Sequence, residues 1–214
     1  MAFLINCRKD LDEEFIRADL FGGNMDFCAP VEWNGRVVED ANVDFCIRKG
    51  LRISAQLLAA VPNAAKVEIN PDGSLPDVGP AMINGWIVSE AFRNIAEHLE
   101  PGKHQYFPVD ATVTSTGQPT PKKLYLLNVL NRVGATVPEL SDIRTKTLST
   151  GVTAFLLAEP VRKLTLQKDK IKNLHLWGGG VWDLSMQKFC SDEFAEAMKA
   201  ADLRGFKYFK CDEI

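Results

Sequence analysis

Apolar positions in this chain come in short runs whose spacing alternates between strand-like and helical. The clearest helical stretch is "SEAFRNIAEHLEPG" (89–102), where Phe92, Ile95, Ala96 and Leu99 share one face. Ser89 suits an N-cap, and the Pro-Gly pair after the last periodic residue suits a stop. With "GWIV" before it and "HQYFPV" after it, residues 85–109 predict strand–helix–strand.

The pattern returns at 187–211, "QKFCSDEFAEAMKAADLRGFKYFKC". Here Phe194, Ala197, Met198 and Ala201 form the apolar stripe behind Ser191, and Asp192 and Glu193 suit the positive end of the helix dipole. Gly205 is placed to end this helix in a left-handed cap. An offset of 102 residues superposes Ser89 on Ser191, Phe92 on Phe194, Tyr106 on Tyr208 and Phe107 on Phe209. The shared Ser-x-x-Phe is a capping and core device, not a nucleophile.

Elsewhere the pattern predicts smaller pieces. "EWNGRVVED" (32–40) and "FGGNMDF" (21–27) carry turn signals, "VDFCIRKG" (43–50) reads as a strand, and "SAQLLAAV" (54–61) as a short helix. "AKVEI" (65–69) reads as a strand, while "NPDGSLPDVGP" (70–80) and "DATVTSTGQPTPKK" (110–123) read as loops. "LYLLNVLNRV" (124–133) is a buried strand, and "VTAFLLAEPVRKLTL" (152–166) supplies one or two more around Pro160. In "LHLWGGGVWDLSM" (174–186) the three glycines, 178–180, read as a turn or bulge at positive φ between two strands.

The expected class is α+β, with mixed or mostly antiparallel sheets, a few short helices and two similar strand–helix–strand units. Residues 1–80 are expected as a strand-rich region packed on a domain of 81–214, or the two as one continuous domain.

Composition narrows the chemistry. The 214 residues are 46% hydrophobic with a net charge of -3, so the clustered Lys and Arg that nucleic acid needs are not expected. Five cysteines without a CxxC pair suggest neither a disulfide framework nor a zinc knuckle, but reduced thiols. The start, "MAFLINCRKDLDEEF", lacks the basic head and long apolar core of a signal peptide. Apolar runs fall short of the roughly 20 residues of a membrane span. A cytoplasmic protein is expected, with no membrane partner.

No catalytic residue, metal site or cofactor site is spelled out. The glycine run has no following Lys-Ser or Lys-Thr, so it is not a phosphate loop. His98, His104 and His175 include no i, i+4 pair, and no G-x-S-x-G elbow is present. Asp12, Glu13 and Glu14 read as a solvated acidic face; Trp177 and Trp182, five apart, point to opposite faces of one uninterrupted strand or are brought together by a bend at the glycines, with core packing expected for at least one. His175 is the one histidine with a wholly apolar setting.

"YFPVDA" (106–111), "LYLLNVLNRVGA" (124–135) and "FCSDEFAEAMKAADLRGFKYFKC" (189–211), in that order, resemble immunity-protein family 11 of bacterial polymorphic toxin systems. The family's strand from Tyr to Asn is matched by Tyr125 to Asn128, and its closing motif by Ser191, Asp192, Glu193, Leu203, Gly205 and Phe206. The likeness covers about residues 80 to 212. Where members carry acidic residues after the Asn strand, this chain has Gly134 and Val137, with Glu139 and Ser141 as remnants. The resemblance implies a cytoplasmic binding protein that neutralises a cognate toxin or effector, with no chemistry of its own. On that basis Asp12, Glu13, Glu14, His175, Trp177 and Trp182 are candidate contacts. The competing readings are a hydrolase-like site assembled around His175, and a regulatory or structural domain of a secretion system.

Overall fold

The computed structural model describes residues 1–6, 18–24, 26–68, 74–81, 85–149, 151–158 and 160–214. In chain order the first strands are β1 (Ala2–Asn6), β2 (Ala18–Phe21), β3 (Ala29–Trp33) and β4 (Arg36–Ala41). Helices α1 (Val43–Lys49) and α2 (Ala55–Leu58) follow, then β5 (Ala64–Val67), β6 (Val78–Pro80), β7 (Trp86–Ser89), α3 (Glu90–Leu99), β8 (Gln105–Val113) and β9 (Leu124–Asn128). The rest comprises β10 (Arg132–Val133), β11 (Ile143–Thr147), β12 (Thr153–Leu157), β13 (Thr165–Leu166), α4 (Lys168–Ile171), β14 (Leu176–Gly180), β15 (Asp183–Ser191), α5 (Asp192–Ala200) and β16 (Lys207–Glu213). Short helices beside largely antiparallel sheets make the protein α+β, as its sequence predicts.

Two sheets carry the two units, and they repeat one another strand for strand. One runs β5-β8-β9-β7-β6, extended by β2 at the β5 edge. The other contains β13-β16-β1-β15-β14, extended by β10. In each, the first pair is parallel and the other three are antiparallel. Helix α3 joins β7 to β8, and α5 joins β15 to β16.

The central strand differs in origin. In the first sheet it is β9, which follows β8. In the second it is β1, from the start of the chain. The registers agree: Ser89 faces Leu124 and Phe107 faces Leu126, while Ser191 faces Ala2 and Phe209 faces Leu4. "LYLLN" (124–128) therefore occupies the place of "AFLIN" (2–6), residue for residue. Even the bond closing each helix start is kept, with Glu90 N–H donating to the Lys123 carbonyl and Asp192 N–H to that of Met1.

Helices α3 and α5 lie between the sheets. The N-caps match: Ser89 and Ser191 have nearly identical extended backbones, and each hydroxyl accepts from the N–H of the Phe three residues on. Phe92 and Phe194 meet edge to face at 5.4 Å between centroids. They sit in a shared core with Val88, Ala96, Leu127, Ile5, Cys190 and Met198. Alternation along the strands sends neighbouring residues to outer cores: Ile87, Phe107, Leu124 and Leu126 pack with α1 and α2, while Leu4, Phe189 and Trp177 pack with Leu157, Leu164 and Ile171.

Three local expectations need correction. "VDFCIRKG" is helix α1, not a strand. Asn42 Oδ1 accepts from Phe45 N–H at 2.9 Å, Gly50 closes the far end at φ 66°, and Val43, Cys46 and Ile47 give a helical buried stripe. β-Branched and aromatic content outvoted these caps in the sequence. Helix α5 is ended by Asp202 at φ 50°, with Leu203 N–H donating to the Met198 carbonyl; Gly205 lies beyond it, pressed against the Val78 carbonyl. The segment predicted as a loop at 70–80 ends in strand β6. The hairpin at "EWNGRVVED" is as expected, with Asn34 and Gly35 both at positive φ between β3 and β4.

Candidate binding surface

The glycine run belongs to strand β14, and close approach rather than positive φ explains it. A Cβ on Gly178 would collide with the guanidinium of Arg132, and one on Gly179 with the backbone of Asp183 and Leu184. Gly180 would place its Cβ 2.9 Å from Gly134 Cα. The register against β15 shifts between Gly178 and Gly180, so the bulge expected here is present. The reversal falls on Val181 and Trp182, and Leu184 takes the positive φ of 52°.

Arg132, admitted by Gly178, is a buried cation. Its Nη1 donates to the Ser185 carbonyl at 2.7 Å and its Nη2 to that of Ile47 at 2.6 Å, which ties the C-terminal end of α1 to β15. Its Nε has no hydrogen-bond partner, and burial pushes its pKa down to about 10. Gly50, at the end of α1, also faces Arg132 and has no room for a Cβ.

Outside this tie, Lys49 lies between two indoles. Its Nζ is 4.6 Å from the Trp33 ring centroid and 4.7 Å from that of Trp182, with Phe45 at 5.9 Å. Trp33 and Phe45 meet edge to face. Burial foremost, then Arg48 and Arg132, holds the Lys49 ammonium below the usual lysine range. Trp182 is 42% exposed.

Trp177, offered alongside Trp182 as a contact, is corrected: it lies within β14, 1% exposed and stacked on Phe189, whereas Trp182 stands in the turn between β14 and β15. Asp12, Glu13 and Glu14 lie outside the described residues.

His175 is partly buried at the start of β14. Its Nδ1 is 3.0 Å from Ser191 Oγ and 3.8 Å from Glu193 Oε2. A hydroxyl and a carboxylate on the same ring nitrogen make no relay, which requires them on opposite nitrogens. Ser191 Oγ is also engaged in capping α5. A groove of about 600 Å³ is lined by Asp77, Lys122 and Arg204, away from His175.

The backbone beside His175 meets Glu100, which sequence reasoning did not single out. Its buried carboxylate accepts from the N–H groups of His175 and Leu176 at 3.0 and 2.9 Å, from Asn131 Nδ2 at 3.1 Å and from His104 Nε2 at 3.0 Å. His104 Nδ1 accepts from Leu130 N–H, so Nε2 carries the proton towards Glu100. Burial by itself raises the Glu100 pKa, but the bonds from His104, His175 and Leu176 outweigh it and hold the carboxyl below its ordinary range. The donors come from three stretches, residues 104, 131 and 175–176, and only His104, four residues after Glu100, has a spacing readable in the sequence, so the cluster as a whole is not signalled. Lys49 was hidden by reading α1 as a strand, and Arg132 left only the glycines across from it as a trace.

Among the described residues no helix is long and apolar enough to cross a membrane, and no group of three or more His, Cys, Asp or Glu is arranged to hold a metal. Cys46, Cys190 and Cys211 are buried free thiols, and Cys28 is an exposed one. Burial pushes all three buried thiols up, Cys211 to about 12, so none is an activated nucleophile.

Among curated proteins, none matches the chain. The model of the Immunity protein family (Imm11) matches residues 63–213, more than half of the sequence and the span from β5 to β16. The resemblance seen in "LYLLN" and the closing Ser191–Phe206 motif is thereby established, and the chain belongs to the Immunity protein family (Imm11).

Proposed function

We propose that this protein is an immunity-type binding protein that neutralises a cognate bacterial toxin by direct protein–protein contact. It acts in the cytoplasm of the cell that makes both, and it carries out no reaction of its own. The family match over residues 63–213 carries this reading. The packing is consistent with it: Ser191 and His175, two polar side chains that draw attention in the sequence, finish the scaffold, the serine capping a helix and the histidine bonded to it.

Inhibition then depends on surface complementarity, with exposed Trp182 as the candidate anchor among the tryptophans. The test is coexpression with the toxin encoded beside this gene. Cells expressing the toxin alone stop growing, and cells expressing both grow; a His175→Ala variant that still binds the toxin keeps rescue, because the histidine has no reaction to perform. Failure of the wild-type chain to rescue would sink the reading, and loss of rescue in a His175→Ala variant that folds and still binds would favour a site around that histidine.

A further inference from the structure

Aromatic area and positive charge coincide around Lys49. Its ammonium is fixed between Trp33 and Trp182, residues from two separate segments, and the buried Arg132 clamp holds α1 against β15 beneath it. Among the described residues no carboxylate forms an ion pair with Lys49, although Arg48 and Arg132 stand close enough to act on it. Asp44, the acid of the same helix, pairs with Arg48 at 2.9 Å.

An ammonium between indoles retains its attraction for an anion, because the ring faces disperse its charge without neutralising it. Its side chain is already ordered, so a partner carboxylate binds without the full entropic cost of immobilising a lysine. The exposed indole edge adds the kind of area that dominates interface energies. In a chain of net charge -3, the Lys49 ammonium has no acidic partner among the described residues, and it selects a carboxylate on the partner.

We propose that the Trp33–Lys49–Trp182 surface docks an acidic segment of the cognate toxin, with a toxin carboxylate meeting the Lys49 ammonium and the indoles packing beside it. This rests on the immunity reading above. The test uses the full-length chain and the toxin encoded beside its gene, with affinity measured by calorimetry at low and moderate salt.

Lys49→Glu is expected to weaken binding about 100-fold or more and Trp182→Ala about 30-fold, while Lys49→Arg stays within about fivefold of wild type. Lys146→Glu, on the exposed strand β11, leaves affinity unchanged. Wild-type affinity falls with salt, and the Lys49→Glu variant loses that dependence. Matching far-UV spectra and melting temperatures keep unfolding out of the comparison. A wild-type chain that binds while both variants bind equally well overturns this docking surface alone, and a wild-type chain that neither binds nor rescues overturns the immunity reading with it. Sedimentation showing a dimer that Trp182→Ala dissolves assigns the surface to a second copy of this chain and also overturns it.

Discussion

In the first half of the frame the central strand β9 follows β8 through residues 114–123, whereas in the second the same place is filled by β1 from the opposite end of the chain. The five-strand order, the direction of every pair and the helix N-caps are otherwise shared. Local sequence therefore specifies the strand–helix–strand piece, while the sheet needs only a strand with the right alternation, wherever it is encoded. "LYLLN" and "AFLIN" both meet that need: Tyr125 and Phe3, Leu126 and Leu4, and Leu127 and Ile5 are alike in size and alternate between the shared core and the outer one, and only Leu124 stands where the smaller Ala2 does.

The largest test of this equivalence is removal of residues 1–6. Ala2, Leu4 and Ile5 are each 1% exposed, and β1 pairs on both sides. Loss of two buried aliphatics alone costs about 4–10 kcal/mol at about 2–5 each, comparable with the whole stability of many domains. The truncated chain is expected to show no cooperative denaturant transition. A rearranged chain beginning at Cys7 and carrying residues 1–6 after Ile214 on a short linker should recover it. The linker has little distance to span, since the Met1 amino group is 3.4 Å from a Glu213 carboxylate oxygen. A truncated chain with the wild-type midpoint would break the comparison.

The halves also hold each other's edges. Beyond α5, the Arg204 carbonyl accepts from the N–H groups of Asp77 and Val78, where β6 begins; beyond α3, the Glu100 carboxylate accepts from His175 and Leu176, where β14 begins. The positions correspond through the registers Val78–Val88 and Leu176–Cys190. One acceptor titrates and the other does not. Glu100→Gln should cost about 1–3 kcal/mol at neutral pH, as expected for a buried acceptor that loses its charge. Because the folded pKa of Glu100 is depressed, its contribution is complete above the ordinary glutamate value of about 4.3 and is lost as pH falls through the folded value. Urea midpoints of wild type and variant should thus stay apart down to that ordinary value and converge only below it, as pH falls through the depressed one; a gap that stays constant would mean the carboxylate charge is not what holds β14.

Much of this frame was legible in the sequence because it depends on local chemistry. Ser-x-x-Phe with a helical stripe identified both units, and Asn34-Gly35 identified the hairpin. Two features escaped because they join distant segments: the pairing of residues 2–6 between β15 and β16, and the capture of β14 by Glu100. The offset of 102 could not reveal the first, because the counterpart of β9 lies at the other end of the chain. Glycines 178–180 were visible as unusual, but only the approach of Arg132, Leu184 and Gly134 explains them. The Lys49 surface was half legible, since Trp182 stood out and the helix that places Lys49 did not.

The smallest expected difference separates the two caps. Ser89→Ala and Ser191→Ala each remove a hydroxyl that accepts from the third N–H of a helix, so each should cost about 1 kcal/mol. Ser191 has a second partner in His175 Nδ1, a position occupied by Asp77 in the other half. Coupling between the pair is expected at about 0.5–1 kcal/mol. In a His175→Ala background the cost of Ser191→Ala should then fall towards that of Ser89→Ala, as read from denaturant midpoints in a double-mutant cycle. Strict additivity would mean that the histidine rests beside the cap without supporting it, and the two helix starts would then be energetically alike as well as geometrically matched.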